Sequence, residues 1–311
     1  MTTAFFSHPA CLQHVTPPGH PERVDRLMAI YAAIDTIEDD ALLRVEAPRG
    51  QVGDILLAHP QTYIDAIIAA EPETGAVALD ADTHMSNGSV EAAFRGVGAM
   101  TKAVDMVLGG DVANAFAAMR PPGHHAETAK QMGFCLFGNV AIAAKHALDR
   151  HGLSRVAVVD FDVHHGNGTQ DLLWDETRAL FVSSHQMPLW PGSGRVEESG
   201  ADGNILNVPL PPDSNGSVMR KAYERIVFPA LSDFEPELLL ISAGFDAHRD
   251  DPLANLSWAT EDFAWLTEQL CDIADQHCAG RIVSTLEGGY DLQALAASTK
   301  AHLEVLLARG V

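Results

Sequence analysis

Six short stretches of the chain are apolar almost without a break: TAFFS, NAFAAM, SRVAVVDFD, ALFVSS, PELLLISAG and GRIVSTLEGG. A strand with one wet face alternates apolar and polar residues, whereas a strand covered on both faces reads as a continuous apolar run. These stretches therefore predict strands held between two layers. Between them lie longer segments with helical spacing: HPERVDRLMAIYAAID, SVEAAFRGVGAMTKAVDMVL, GNVAIAAKHALDRHG, SVMRKAYERIVFPALSDF and TEDFAWLTEQLCDIADQH. Asn215, Asn255 and Thr260 lie near expected helix starts, and Gly152 closes a helix. Alternating strands and helices imply right-handed crossovers. The expectation is an α/β fold with a mainly parallel central sheet flanked by helices on both faces. No internal repeat or Ser/Gly linker divides the 311 residues, so a single domain over 1–311 is expected. Two long loops are expected, Ser184 to Asn204 and RPPGHHAETAKQMGF.

Charge narrows the partners. Asp and Glu number 42 against 20 Lys and Arg, a formal charge of −22. Nucleic acid calls for a basic face, so no nucleic-acid partner is expected. The acidity suits cationic substrates, or simply keeps the surface soluble. The opening MTTAFFSHPACLQH lacks a basic region followed by a long apolar one, and no apolar run approaches the ~20 residues of a membrane span. Cys11, Cys135, Cys271 and Cys278 form no CxxC pair. The cytoplasm is the compartment expected, with no membrane partner.

The apolar runs end in unusual residues. AFAAMR leads into PPGHHAE, VAVVDFD into VHHGNG, LFVSS into HQMPLWPGSG, LLLISAG into FDAHRDDPL, and IVSTLEGG into YDL. In open α/β sheets ligands collect at the carboxyl ends of the strands, so these ends are expected to share one cleft. Asp162 and His164 stand two apart and project to one side of extended chain. Both suit a borderline divalent metal, and Asp246 at another strand end supplies a third ligand. Three protein ligands leave a position open for water or substrate, as catalytic zinc sites do. Taken singly, each residue reads more readily as a capping Asp or a surface His; the three together favour the metal.

His124 and His125 in PPGHHAE suit proton transfer, each tuned by its own partner. Asp160 and Asn167 are natural partners for their other ring nitrogens. An Asp partner stabilises imidazolium, whereas an Asn only orients the ring. Tyr290 follows Gly288 and Gly289, which let backbone approach the cleft, and its phenol is a candidate donor to a developing oxyanion. A core Tyr with its hydroxyl at the surface is the plainer alternative.

Together RPPGHHA, GFCLFGNVAIAA, DFDVHHGNGTQ, SAGFDAHRDDPL and LEGGYDL resemble the histone deacetylase family, specifically its class II branch. HPERVDR is similar to that branch's opening segment, and the resemblance runs in order over nearly the whole chain. It implies an arginase/deacetylase fold with a zinc-dependent amidohydrolase site in a narrow tunnel. Asp162, His164 and Asp246 would be the zinc ligands, with iron(II) as the other candidate metal. His124 and His125 would be the catalytic pair with Asp160 and Asn167 behind them, and Tyr290 the transition-state tyrosine. Gly133, Phe134, Trp190, Leu253 and Gly288 would meet the substrate, Trp190 standing where a Phe is more common. A structural potassium ion is implied near Asp160, Asp162, His164, Ser183 and Ser184, and a second one near Leu173 to Ala179. The substrate implied is acyl-lysine in proteins or peptides, giving acetate and a free amine. Two other readings stay open, an acetylpolyamine amidohydrolase and an inactive reader of acyl-lysine. The resemblance also puts Leu253 at the tunnel mouth, where polyamine-specialised relatives carry an acidic residue.

Overall fold

The computed structural model describes residues 2–310. Eight strands form one sheet: β1 (Thr3–Ser7), β2 (Leu42–Glu46), β5 (Asn114–Ala117), β6 (Val156–Asp160), β7 (Ala179–Gln186), β8 (Ile205–Leu210), β9 (Leu238–Ala243) and β10 (Ile282–Leu286). A separate small hairpin pairs β3 (Ala76–Ala78) with β4 (His84–Ser86). The sheet order is β2-β1-β5-β10-β9-β6-β7-β8, and every neighbouring pair in it is parallel.

The helices are α1 (Asp25–Ile34), α2 (Val52–Ile55), α3 (Gln61–Ala70), α4 (Ser89–Gly109) and α5 (Asn139–Arg150), followed by α6 (Asn167–Leu173), α7 (Gly216–Ala222), α8 (Phe228–Phe234), α9 (Thr260–Cys278) and α10 (Leu292–Arg309). Helix α10 packs against both α1 and α9, α4 packs against α5, and the two groups flank the sheet. Strands β5, β6, β7, β9 and β10 are buried at every position, which is why their sequences carry no polar alternation.

All six apolar runs form strands of this sheet. The two strands without such a run, β2 and β8, lie at its edges, and β2 is mostly exposed, so neither needed a continuous apolar sequence. Several expectations need correction. Ser184 lies inside β7, which runs to Gln186, so the long loop begins at 187. The helix expected from His20 starts at Asp25, and residues 20–24 instead turn Glu22 into the core. Asn255 starts no helix; its N–H donates to Gln186 Oε1 at 2.8 Å, and α9 begins at Thr260. Asn215 does cap α7, accepting from the N–H groups of Ser217 and Val218, and Gly152 follows α5 in the left-handed conformation. The segment 217–234 is helical but contains a π-helical turn at Tyr223–Val227. Among the described residues, no helix is long and apolar enough to cross a membrane.

Candidate active site

Topology brings the chemistry together. The chain lays down β5, skips to β6, β7 and β8 on the far side, and then returns to insert β9 and β10 into the gap between β5 and β6. Because all the strands are parallel, their carboxyl ends share one edge of the sheet. Read across that edge, the loops carry His124 and His125 after β5, Tyr290 after β10, Asp246 after β9, and Asp162 and His164 after β6, with Ser183 and Ser184 on β7. Residues as far apart in sequence as His124 and Tyr290 thus become neighbours at the point where strand order reverses.

Asp162, His164 and Asp246 are buried, and one ligand atom from each lies within 4.8 Å of the others. His164 Nδ1 stands 3.2 Å from both Asp162 Oδ1 and Asp246 Oδ2. The carboxylates are fixed by backbone donors: His164 N–H to Asp162 Oδ1 at 2.9 Å, Gly288 N–H to Asp162 Oδ2 at 2.7 Å, and Val163 N–H to Asp246 Oδ1 at 2.8 Å. Two buried carboxylates facing one imidazole carry more negative charge than the protein interior tolerates without a cation. The donor set fits a borderline divalent ion with three protein ligands and an open position. The surrounding glycines are enforced by space. A Cβ on Gly288 would lie 2.1 Å from Asp246 Oδ2, and one on Gly244 would lie 2.1 Å from Asp162 Oδ2.

The histidine pair is buried beside this group with ring centroids 3.9 Å apart. His124 Nδ1 is 2.9 Å from Asp160 Oδ2, and His125 Nδ1 is 2.7 Å from Asn167 Oδ1. The amide orientation of Asn167 is set by Glu127, whose carboxylate accepts from Asn167 Nδ2 at 2.8 Å. Asn167 Oδ1 therefore faces His125 as an acceptor, Nδ1 carries the proton, and Nε2 keeps a free lone pair. Burial works against charge on His124, but the Asp160 and Asp162 carboxylates outweigh it and lift its pKa to about 10. Burial and the neighbouring His124 and His164 push His125 well below the ordinary imidazole range. The two imidazoles are thus pushed in opposite directions, His124 up by its carboxylate neighbours and His125 down by burial and the two imidazoles beside it.

Aromatic rings line the approach. Trp190, 42% exposed, meets His125 edge-on at 4.7 Å. Phe134 meets Tyr290 edge-on at 6.0 Å and His20 at 4.8 Å. Gly133 has φ +57°, and a Cβ there would lie 2.4 Å from the His125 ring and 2.7 Å from Trp190, so only glycine fits between them. Asp251 ties Leu253 to the same region: its Oδ1 accepts the Leu253 N–H at 3.0 Å and its Oδ2 the Tyr290 N–H at 2.7 Å. Leu253 itself is partly exposed. Burial keeps the Tyr290 phenol well above its ordinary pKa, so it stays a donor.

Asp160 and Ser183 are paired in register across β6 and β7. The Ser183 hydroxyl lies 3.0 Å from His185 Nδ1, and that of Ser184 lies 2.7 Å from the Tyr223 hydroxyl.

The structure adds residues that the sequence did not single out. Arg26 donates to the carbonyls of Gly289 at 2.6 Å and Glu287 at 2.5 Å, and its guanidinium lies 4.9 Å from the Tyr290 ring centroid. Glu22, fully buried, pairs with Arg26 and with Arg120, the residue that precedes PPGHH. The Glu287 carboxylate accepts the N–H groups of Gly123 at 2.7 Å and His124 at 3.1 Å. This buried charge network locks the His124 loop to the Tyr290 loop. The available signal was HPERVDR, which sets an acidic residue, Glu22, and a basic one, Arg26, close together ahead of an apolar helical run.

A model of the histone deacetylase domain matches residues 19–306. The chain is 38% identical to a histone deacetylase-like amidohydrolase of Pseudomonas aeruginosa over 93% of its own length and 81% of that protein's. It is 35% identical to a probable deacetylase of Archaeoglobus fulgidus over 94% of its length and 82% of the relative's. The solved HDA15 HD domain superposes with a TM-score of 0.93 at 33% identity, covering 99% of this chain and 88% of the other.

Proposed function

The chain belongs to the histone deacetylase family, and from that premise we propose that it is a zinc-dependent amidohydrolase removing acyl groups from the side-chain amine of acyl-lysine in proteins or peptides. The observation that carries the reading is the buried convergence of Asp162, His164 and Asp246 beside two imidazoles tuned in opposite directions. Asp162, His164 and Asp246 would hold the divalent ion, which would supply Lewis-acid polarisation of an amide carbonyl and of a water there.

The other steps belong to the chain. His125, neutral with Nε2 free, takes the proton of the attacking water and then returns it to the leaving amine. His124, held charged by Asp160, stabilises negative charge growing on the carbonyl oxygen. The Tyr290 hydroxyl donates to that oxygen, a contribution of about 3 kcal/mol in comparable sites. Arg26 and Glu22 hold the Tyr290 loop so that the donor is in place before the reaction begins. Phe134, Trp190 and Gly133 form the walls along which the acyl-lysine chain lies, with Gly288 at the floor.

The same reading gives a potassium ion to Asp160, Asp162, His164, Ser183 and Ser184; the buried pairing of Asp160 with Ser183 supports it. Four buried free cysteines suit a reducing compartment such as the cytoplasm.

Leu253 separates acyl-lysine from the alternative, acetylated polyamines. An apolar side chain beside the Tyr290 loop offers nothing to pair with a distant ammonium. The overall charge of −22 attracts polyamines without selecting them, and at physiological salt that pull is screened beyond about 8 Å. The expected result is a higher kcat/KM for acetyl-lysine peptides than for N-acetylputrescine or N-acetylspermidine. Leu253→Glu should shift the ratio toward the polyamines by about tenfold, as a charge pair of ~1–3 kcal/mol at a partly desolvated mouth would. A wild-type preference for the acetylpolyamines of tenfold or more would replace this substrate class with the alternative.

A further inference from the structure

A second group of metal-type side chains lies away from the cleft. Asp105 is in the last turns of α4, His146 near the end of α5, and His151 caps α5. His146 Nε2 is 2.8 Å and His151 Nε2 2.7 Å from the same oxygen, Asp105 Oδ1, and the three donor atoms lie within 4.8 Å of one another. Helices α4 and α5 end just before β5 and β6 begin, whereas the cleft lies at the far ends of those strands. The two groups are therefore about a strand length apart, roughly 15 Å. We propose that Asp105, His146 and His151 bind a second divalent cation of the zinc type, which clamps the C-terminal ends of α4 and α5 together.

Hydrogen bonding of a neutral ring leaves one nitrogen of His146 unexplained. If its Nε2–H donates to Asp105, its Nδ1 in the neutral ring is an acceptor. That Nδ1 is buried without a hydrogen-bond partner and faces a carboxylate oxygen, Asp54 Oδ1, at 3.7 Å. Two acceptors facing each other in a buried position are unfavourable. A cation on Nε2 reverses the tautomer: the proton moves to Nδ1 and donates to Asp54, the carboxylate–histidine–metal arrangement common around zinc. Two imidazoles and one carboxylate suit a borderline cation, and the partial exposure of Asp105 and His151 leaves an entry path and room for water to complete the coordination. The rival is a doubly protonated His146 that bonds both carboxylates with no metal.

The test is equilibrium dialysis of the full chain against zinc at pH 8, with elemental analysis. The wild type should hold two equivalents. His151→Ala, at an exposed position, and Asp105→Asn, which keeps an oxygen to accept both hydrogen bonds, should each hold one while deacetylase turnover is unchanged. Asp246→Ala should also hold one, retained at this second site. Wild-type zinc content in both His151→Ala and Asp105→Asn would overturn the proposal. So would a wild-type stoichiometry of one that only Asp246→Ala abolishes, a result that leaves the cleft reading intact. Zinc lost only in the His151 and Asp105 variants would support the second site and count against the cleft assignment instead.

Discussion

Replacing Asp246 by Ala should strip the cleft of its metal and lower turnover by about three orders of magnitude. Asp246 is one of only three protein ligands, and its Oδ2 is aimed at the point that His164 Nδ1 also faces, 3.2 Å away. The Lewis-acid contribution lost is several kcal/mol, and each 1.4 kcal/mol is a factor of ten in rate. Asp246 also has a structural duty, since its Oδ1 accepts the Val163 N–H at 2.8 Å. Leaving that buried donor unpaired costs about 1–3 kcal/mol of stability, so the alanine variant alone mixes two effects. Asp246→Asn separates them. An amide oxygen still accepts the Val163 N–H, so the melting temperature should stay near wild type while the cleft zinc and the activity are lost. Zinc retained at the wild-type level in both variants would sink the ligand assignment.

Tyr290→Phe should behave in the opposite way, keeping the metal and the fold but losing kcat by about 10²–10³-fold. The substitution removes one oxygen. The ring contacts with Phe134 at 6.0 Å and under the Arg26 guanidinium at 4.9 Å survive in phenylalanine. The hydroxyl matters most when charge develops on the carbonyl oxygen, so KM should change far less than kcat. A steady-state comparison on one acetyl-lysine peptide checks this, and a wild-type-like kcat would reject the oxyanion role. The same result would support the plainer alternative of a core tyrosine with a wet hydroxyl.

The residues that converge in the cleft were legible because each sits where a buried strand runs out. Asp162 and His164 are two apart on extended chain, and Asp246 follows the run LLLISAG. The apolar runs gave away the central strands because burial on both faces removes polar alternation. That logic fails at the edges: LLRVE in β2 is mostly exposed, and its strand character comes only from pairing with β1. Sheet order was not legible either. Nothing local to β9 or β10 says that they insert between β5 and β6. Arg26 was hidden for a related reason, since its partners are carbonyls 261 and 263 positions away. Asp105, His146 and His151 meet only because α4 and α5 pack together. Helix α10 is a different case. It is absent from the helices expected above, although its N-cap Asp291, accepting from the Gln293 and Ala294 N–H groups, and the Leu- and Ala-rich run behind it carry the signal.

The central claim is that this chain cleaves an acyl-lysine amide through a metal held by Asp162, His164 and Asp246. Its most direct test is to strip the purified protein with a chelator, verify by elemental analysis that no metal remains, and quantify acetate released from an acetyl-lysine peptide before and after zinc is returned. Turnover should vanish in the stripped protein and recover with zinc in the wild type, with acetate and deacetylated peptide in equal amounts, and fail to recover in Asp246→Asn. Undiminished acetate release by metal-free protein, or full recovery in Asp246→Asn, would contradict it.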